Sequence, residues 1–254
     1  IISFIKENLN LNLPLSSKKV LITAGPTHEK IDNVRYISNY SSGKMGIALS
    51  KVAAELGANV KLILGPTNHS IIHSNIEIVN VLSADHMYDR VLANFSSTDI
   101  IICAAAVSDF KPKNPVKNKI KKQTGFDKIE LVPNKDILLE ISKKKSTSQI
   151  LIGFALESDN EINNAISKLK NKNLDFVVLN STNDKAAGFS VDTNKITIID
   201  SDSNIEEFKV KSKYNVSKDI FNKILKINHP HHLKDYMAIN DVANIIYKII
   251  YEKK

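Results

Sequence analysis

The chain has 254 residues, 43% of them apolar and 24% charged, and carries a formal charge of +8. This length suits one α/β domain with appendages, and this composition suits a folded body with a sizeable core rather than a disordered chain. No apolar run approaches the roughly 20 residues that span a bilayer, and the basic excess is lysine dispersed among Asn and Ile, without the interleaved aromatics of a nucleic-acid platform.

Residues 1–17 read as a short apolar helix-like stretch running into a linker, with no basic flank or small-residue cleavage site of a secretory leader. An apolar, β-branched run at 19–23 predicts a strand that ends at Gly25-Pro26. Residues 43–56 carry Met45, Leu49, Val52, Ala53 and Leu56 at helical spacing and stop at Gly57. The alternation continues with strands at 60–64 and 76–81, a helix at 84–95 and a strand at 100–105. A Lys/Pro/Asn-rich stretch follows to about Gly125. The pattern then resumes with a strand at 129–132, a helix after Asp136, a strand at 150–154, a helix at 161–171 and a strand at 176–179. Segments 195–199 and 207–210 predict a late hairpin. The single cysteine, Cys103, cannot form an internal disulfide, which fits a reducing compartment. Its setting, Ile100-Ile101-Ile102-Cys103-Ala104, marks it as a small core residue rather than a nucleophile.

Strands alternating with helices predict an α/β fold with a Rossmann-like, mainly parallel sheet, helices on both faces and a small late β-hairpin. Ligands in such sheets bind beyond the carboxyl ends of the strands, at the switch point. The loops at 24–42, 106–122 and 153–160 fall there, and the first two are much longer than an ordinary βα connection. In the first, Ser41-Ser42-Gly43 leads into a helix N-terminus, whose unpaired N–H groups and positive dipole favour anions. It matches neither a P-loop, because Ser38 and Met45 stand where Gly and Ser/Thr are needed, nor a contiguous GxGxxG turn after Gly25. Alone, it is equally well explained as a glycine turn with a serine cap. In the second loop, Asp109 follows a strand end and Lys119, Lys121 and Lys122 form a basic run that a solvated surface would also explain. Lys168 and Lys172 share a helix face at i, i+4 spacing, where they could clamp phosphates or simply meet water. His229-Pro230-His231-His232 has no accompanying Cys or carboxylate cluster and reads as a tail rather than a metal site.

Together these segments resemble one family, the bacterial phosphopantothenate–cysteine ligase, often the C-terminal half of a bifunctional decarboxylase–ligase. The matching pieces are Ile22 through Thr27, Val34 through Gly46, Ala104 through Asp109, Lys119-Ile120-Lys121-Lys122, Ile152-Gly153-Phe154-Ala155, and Gly188-Phe189 with Asp192 and Asn194. They stand in family order over about residues 18–200, and an ordered set is far more specific than any one piece. Residues 1–9 resemble the last helix of the decarboxylase half. The chain departs from the family pattern at Asn134-Lys135-Asp136, where a proline is usual in the middle, and at Leu179-Asn180-Ser181.

The resemblance implies a cytoplasmic homodimer that uses CTP and Mg²⁺ to make an acyl-cytidylate of phosphopantothenate, releasing pyrophosphate. The amine of cysteine then attacks the activated carboxyl group, and CMP leaves. It implies a ligase domain at 18–228, an N-terminal tail at 1–17 and an extension at 229–254 with no assigned role. FMN is expected only if a decarboxylase half is fused, and neither nucleic acid nor membrane is an expected partner. Carried over by motif, Asn39 and Lys119 are the catalytic residues, and Arg35, Asn39 and Ala106 bind the acyl substrate. Gly25, Ser42, Gly43, Asp109, Lys119, Asn134, Phe154, Lys168 and Lys172 bind the nucleotide, and no metal ligand is assigned. Two other readings compete: an oxidoreductase would show GxGxxG and an acidic residue where Gly65-Pro66 ends the second strand, and a nucleic-acid module would cluster its cations with aromatics.

Overall fold

The computed structural model describes residues 13–121, 128–181, 183 and 191–228. The helix resemblance at 1–9, Lys122, Gly188-Phe189, the His229–His232 cluster and the extension at 229–254 lie outside the described residues. One sheet of 8 strands organises the molecule. Its strands are β1 (Lys19–Ala24), β2 (Asn59–Leu64), β3 (Ile76–Asn80), β4 (Ile100–Cys103), β5 (Ile150–Glu157), β6 (Phe176–Ser181), β7 (Thr197–Asp200) and β8 (Ile205–Glu207). Their order is β8-β7-β6-β5-β4-β1-β2-β3. From β3 to β6 all pairings are parallel, which is the doubly wound arrangement with its switch point between β1 and β4. The predicted late hairpin is β7 and β8, which continue the sheet antiparallel from β6.

The parallel strands are apolar on both faces because both are covered. Val20, Ile22, Ile100, Ile102, Ile152 and Val178 point to one side, against Leu49, Val52 and Ala53 of α1 (Lys44–Glu55). Val216, Ile220, Phe221 and Ile224 of α5 (Lys213–Asn228) fill the same layer. Leu21, Ile63, Ile101, Leu151 and Val177 point to the other side. There they meet Met87 and Val91 of α2 (Ala84–Phe95), Ile141 of α3 (Ile137–Ser142), and Ala165 and Leu169 of α4 (Glu161–Asn171). Leu15, in the segment read as linker, is 1% exposed and belongs to the first layer, and its N–H is bonded to the carbonyl of Leu56. Among the described residues, no helix is long and apolar enough to cross a membrane.

Two expectations differ from the structure. The strand expected at 129–132 is Leu131–Pro133, and it lies outside the central sheet, pairing antiparallel with Phe110–Pro112 as a separate ribbon. Apolar patterning announces a strand but does not name its partner. The sequence pattern also assigns no element to 213–228, where the structure has α5; Val216, Ile220 and Ile224 at four-residue spacing are its signature.

Candidate active site

The loops after β1 and β4 stay zipped together beyond the strand ends. Pro26 and Ala106 form a parallel bridge, the Ala106 N–H donates to the Gly25 carbonyl at 2.9 Å, and the Ser108 N–H donates to Oγ1 of buried Thr27 at 3.0 Å. The side-chain amide of Asn39 returns from the far part of the first loop to the Val107 carbonyl at 2.9 Å. Asn39, Ala106 and Gly25, predicted separately, are thus brought to one place. A second ribbon, Glu29–Lys30 paired with Tyr36–Ile37, gives the first loop its body, and His28 stacks on Tyr36 with ring centroids 3.8 Å apart.

Glycine geometry allows this closeness. Gly25 (φ 78°) and Gly43 (φ 74°) are left-handed, and a Cβ on Gly43 would lie only 3.5 Å from Gly25 Cα. Gly46 sits where a Cβ would come within 2.3 Å of Ala24 Cβ, so α1 rests directly on β1. The α1 N-cap is Gly43 itself, without a side-chain capping bond and without an acidic residue in the first turn. Its positive end faces the loop with no acidic side chain of its own first turn, and Lys44 at its start pairs with Asp192 at 2.7 Å. Ser42 is held there by Thr67, whose hydroxyl donates to the Ser42 carbonyl at 2.7 Å. A cavity of about 490 Å³ opens beside this helix end, lined among others by Tyr36, Ser38, Asn39, Ser41, Ser42 and His69.

On the other side of β4 stand the remaining predicted groups. The Asn134 N–H donates to the Asp109 carbonyl at 2.8 Å, and its side-chain amide donates to the Ser108 carbonyl at 2.8 Å. That bond fixes the amide orientation and leaves Oδ1 buried with no hydrogen-bond partner among the described residues. The side chain of Lys168 donates to the Phe154 carbonyl at 2.7 Å. Lys172 pairs at 2.7 Å with Asp136, which also caps α3 through the Leu139 N–H. Burial, aided by the neighbouring charge of Lys172, holds the Lys168 pKa below its ordinary value. Lys168 and Lys172 are therefore close enough to feel each other, and the carboxylates of Glu157 and Asp136 both act on Lys168.

Arg35 does not enter the cavity. Its guanidinium grips the buried Asp32 carboxylate, with Nη2 at 2.5 Å and Nε at 3.1 Å, and Nη2 also donates to the Ile120 carbonyl at 3.1 Å. Lys119 is exposed on the adjoining turn. The sequence reading gave no role to Asp32, Thr27 or Asp136. For Asp32 the signal is the Asp-x-x-Arg spacing ahead of Arg35, and for Asp136 its place as an N-cap before the helix at 137–142; for Thr27 and for the Asp136–Lys172 pair there is none, because the partners lie far away in sequence.

A family model described as the DNA/pantothenate metabolism flavoprotein C-terminal domain matches residues 15–227. The chain is 49% identical over 229 residues to a protein named cysteine/cysteine sulfinic acid decarboxylase from an unidentified prokaryote, covering 90% of this chain and 64% of that protein. It is 44% identical over 215 residues to the coenzyme A biosynthesis bifunctional protein CoaBC of Bacillus subtilis (strain 168), covering 85% of this chain and 53% of that one. The chain thus spans only about half to two thirds of these relatives. A crystal structure of the C-terminal domain of a coenzyme A biosynthesis bifunctional protein CoaBC superposes with a TM-score of 0.73 at 36% identity, covering 86% of this chain and 99% of that one.

Proposed function

Because the chain belongs to the family of DNA/pantothenate metabolism flavoprotein C-terminal domains, we propose that it joins phosphopantothenate to cysteine in coenzyme A synthesis, at the expense of CTP. The observation that carries this reading is the meeting of the β1 and β4 loops at the switch point, where Asn39 bonds Val107 beside a helix end suited to an anion. The domain at 18–228 is the ligase unit in this reading, and it acts in the cytoplasm.

Amide formation from a carboxylate needs a better leaving group than oxide, and a nucleotidyl phosphate supplies it. The substrate carboxylate attacks the α-phosphorus of CTP, the bond to pyrophosphate breaks, and the cysteine amine then displaces CMP from the acyl carbon. This chemistry requires positioning and charge neutralisation rather than a protein nucleophile. In this reading the cavity beside α1 takes the acyl substrate, with Asn39 at its carboxyl group and Arg35 and Ala106 shaping the loop around it. Gly25, Ser42 and Gly43 bring the backbone close to the nucleotide, and Lys119 neutralises charge as it develops. Asp109, Asn134 and Phe154 hold the nucleoside, with Lys168 and Lys172 toward its phosphates. The buried Asn134 Oδ1 supports a base that carries an amino group, as cytosine does, because it is an acceptor in need of a donor.

Mg²⁺ would travel on the triphosphate: it is commonly held by phosphates with one or two carboxylates, and the described residues present no cluster of three or more metal ligands. Homodimerisation belongs to the same reading and is supported by large apolar side chains exposed on and beside the two ribbons, Val34, Tyr36, Phe110, Val116 and Leu131.

Incubation with phosphopantothenate, cysteine, Mg²⁺ and each nucleotide in turn tests the proposal. Pyrophosphate release with CTP is the expected result, and no release with any nucleotide would overturn it. The relative named as a decarboxylase supports a second reading; carbon dioxide evolved from free cysteine by this chain alone would favour that one.

A further inference from the structure

On the ligase reading, Lys119 must reach the reacting groups from an exposed turn, and that turn must be held in place by its backbone. We propose that Asp32 is the positioning residue for Lys119, clamping the lysine turn onto the acyl-substrate loop through the Ile120 amide and the Arg35 guanidinium. Asp32 is buried, 2% exposed, and does not line the cavity. Its Oδ1 is used within its own loop, accepting from the N–H groups of Val34 and Arg35 at 2.8 Å each. Its Oδ2 faces outward, accepting from Arg35 and, at 3.1 Å, from the Ile120 N–H 88 residues away in sequence.

Arg35 completes the hold by donating to the Ile120 carbonyl at 3.1 Å, so both backbone groups of Ile120 are fixed by one ion pair. The peptide linking Lys119 to Ile120 carries that N–H, so the Lys119 backbone is fixed while its side chain stays exposed. The other end of the turn is tied as well, with the Val116 N–H donating to the Ile31 carbonyl at 3.1 Å. Residues 116–120 are therefore pinned at both ends to residues 31–35, with Lys119 between the pins. Asparagine could not replace the acid. It offers one oxygen in place of two, so whichever way the amide turns its NH2 faces donors, either the guanidinium with the Ile120 N–H or the N–H groups of Val34 and Arg35.

Two measurements test the clamp. Amide hydrogen exchange at Ile120 needs no activity: it should be slow in the wild-type protein and at least ~10-fold faster in Asp32→Asn, as the loss of a buried acceptor exposes the N–H. An Ile120 amide that exchanges like an unprotected one in the wild type would overturn the clamp. In the enzyme, Asp32→Asn should slow acyl-nucleotide formation by about 10- to 100-fold, the scale of a misplaced group, while the KM for cysteine holds. In a Lys119→Ala background the same substitution should cost little more, since both changes act through one group. Equal costs in the two backgrounds would show that Asp32 acts elsewhere. If Asp32→Asn does not fold, Arg35→Lys, which keeps the Asp32–Ile120 bond, enters the same cycle. A wild-type protein without ligase activity would count against the ligase reading, and the exchange result would still decide the clamp.

Discussion

At Cys103 the backbone places a thiol at the end of β4, beside Thr23 and within the field of Lys168 and Lys172, and burial nonetheless pushes its pKa up to about 12. The thiol therefore stays protonated at neutral pH, although the residue is half-buried rather than part of the fully buried core. Iodoacetamide at pH 8 should leave it unmodified in the native protein and label it in urea, which mass spectrometry reads directly. Above an ordinary thiol pKa of roughly 8.5 the unfolded chain loses a proton that the native one keeps, so this group costs stability as pH rises. Asp32 works in the opposite direction. Arg35 and the surrounding N–H groups hold its carboxyl well below the usual range. Its contribution is complete at neutral pH and fades as pH falls below about 4, where the unfolded carboxyl takes up a proton. The gap in Tm between wild type and Asp32→Asn should stay constant from pH 8 to pH 5 and narrow below that. For Asn39 the expected outcome is kinetic: Asn39→Asp should lower turnover about 100-fold with CTP binding by calorimetry nearly intact, and equal loss of both would refute its role at the acyl group.

Elements were legible where their reasons are local. Parallel strands such as β1, β4 and β6 are apolar runs closed by glycine or polar residues, and α1 and α2 show their buried stripe at helical spacing. The ribbon between Phe110–Pro112 and Leu131–Pro133 was not legible as a pair, because its register depends on contacts across the intervening lysine loop. The candidate site divides in the same way. Asn39 and Ala106 could be named from the resemblance, but their meeting through Val107 is a property of the sheet order. The α1–β1 contact supports a prediction at this scale. In Gly46→Ala the new methyl would meet Ala24 Cβ at 2.3 Å, so the helix must move outward. Overpacking of this kind costs roughly 1–3 kcal/mol, and thermal unfolding should register it together with weaker binding of the acyl substrate beside the displaced helix end.

Among the described residues the sheet ends in two edge strands, and such edges need protection from pairing with another chain. At one edge β8 exposes Ile205, Glu206 and Glu207, and at the other β3 carries Glu77, in a salt bridge with Lys61 at 3.1 Å. Replacing Glu206 and Glu207 together by threonine should leave the circular dichroism unchanged and raise light scattering at high concentration; unchanged scattering would show that the charges do not guard this edge.

The contact of Gly25 with Gly43 has a reach beyond the site. If residues 26–41 were cut out, the chain would read Gly25-Ser42-Gly43-Lys44-Met45-Gly46, the spacing of a dinucleotide-binding turn. The first and second glycines already touch, and the third already seats α1 on β1. The joint is thus finished without the segment it carries, and that segment is cargo mounted on an ancient kind of coupling. Cargo can be exchanged: the same joint in another doubly wound protein is a place to mount residues 26–41 without redesigning a sheet.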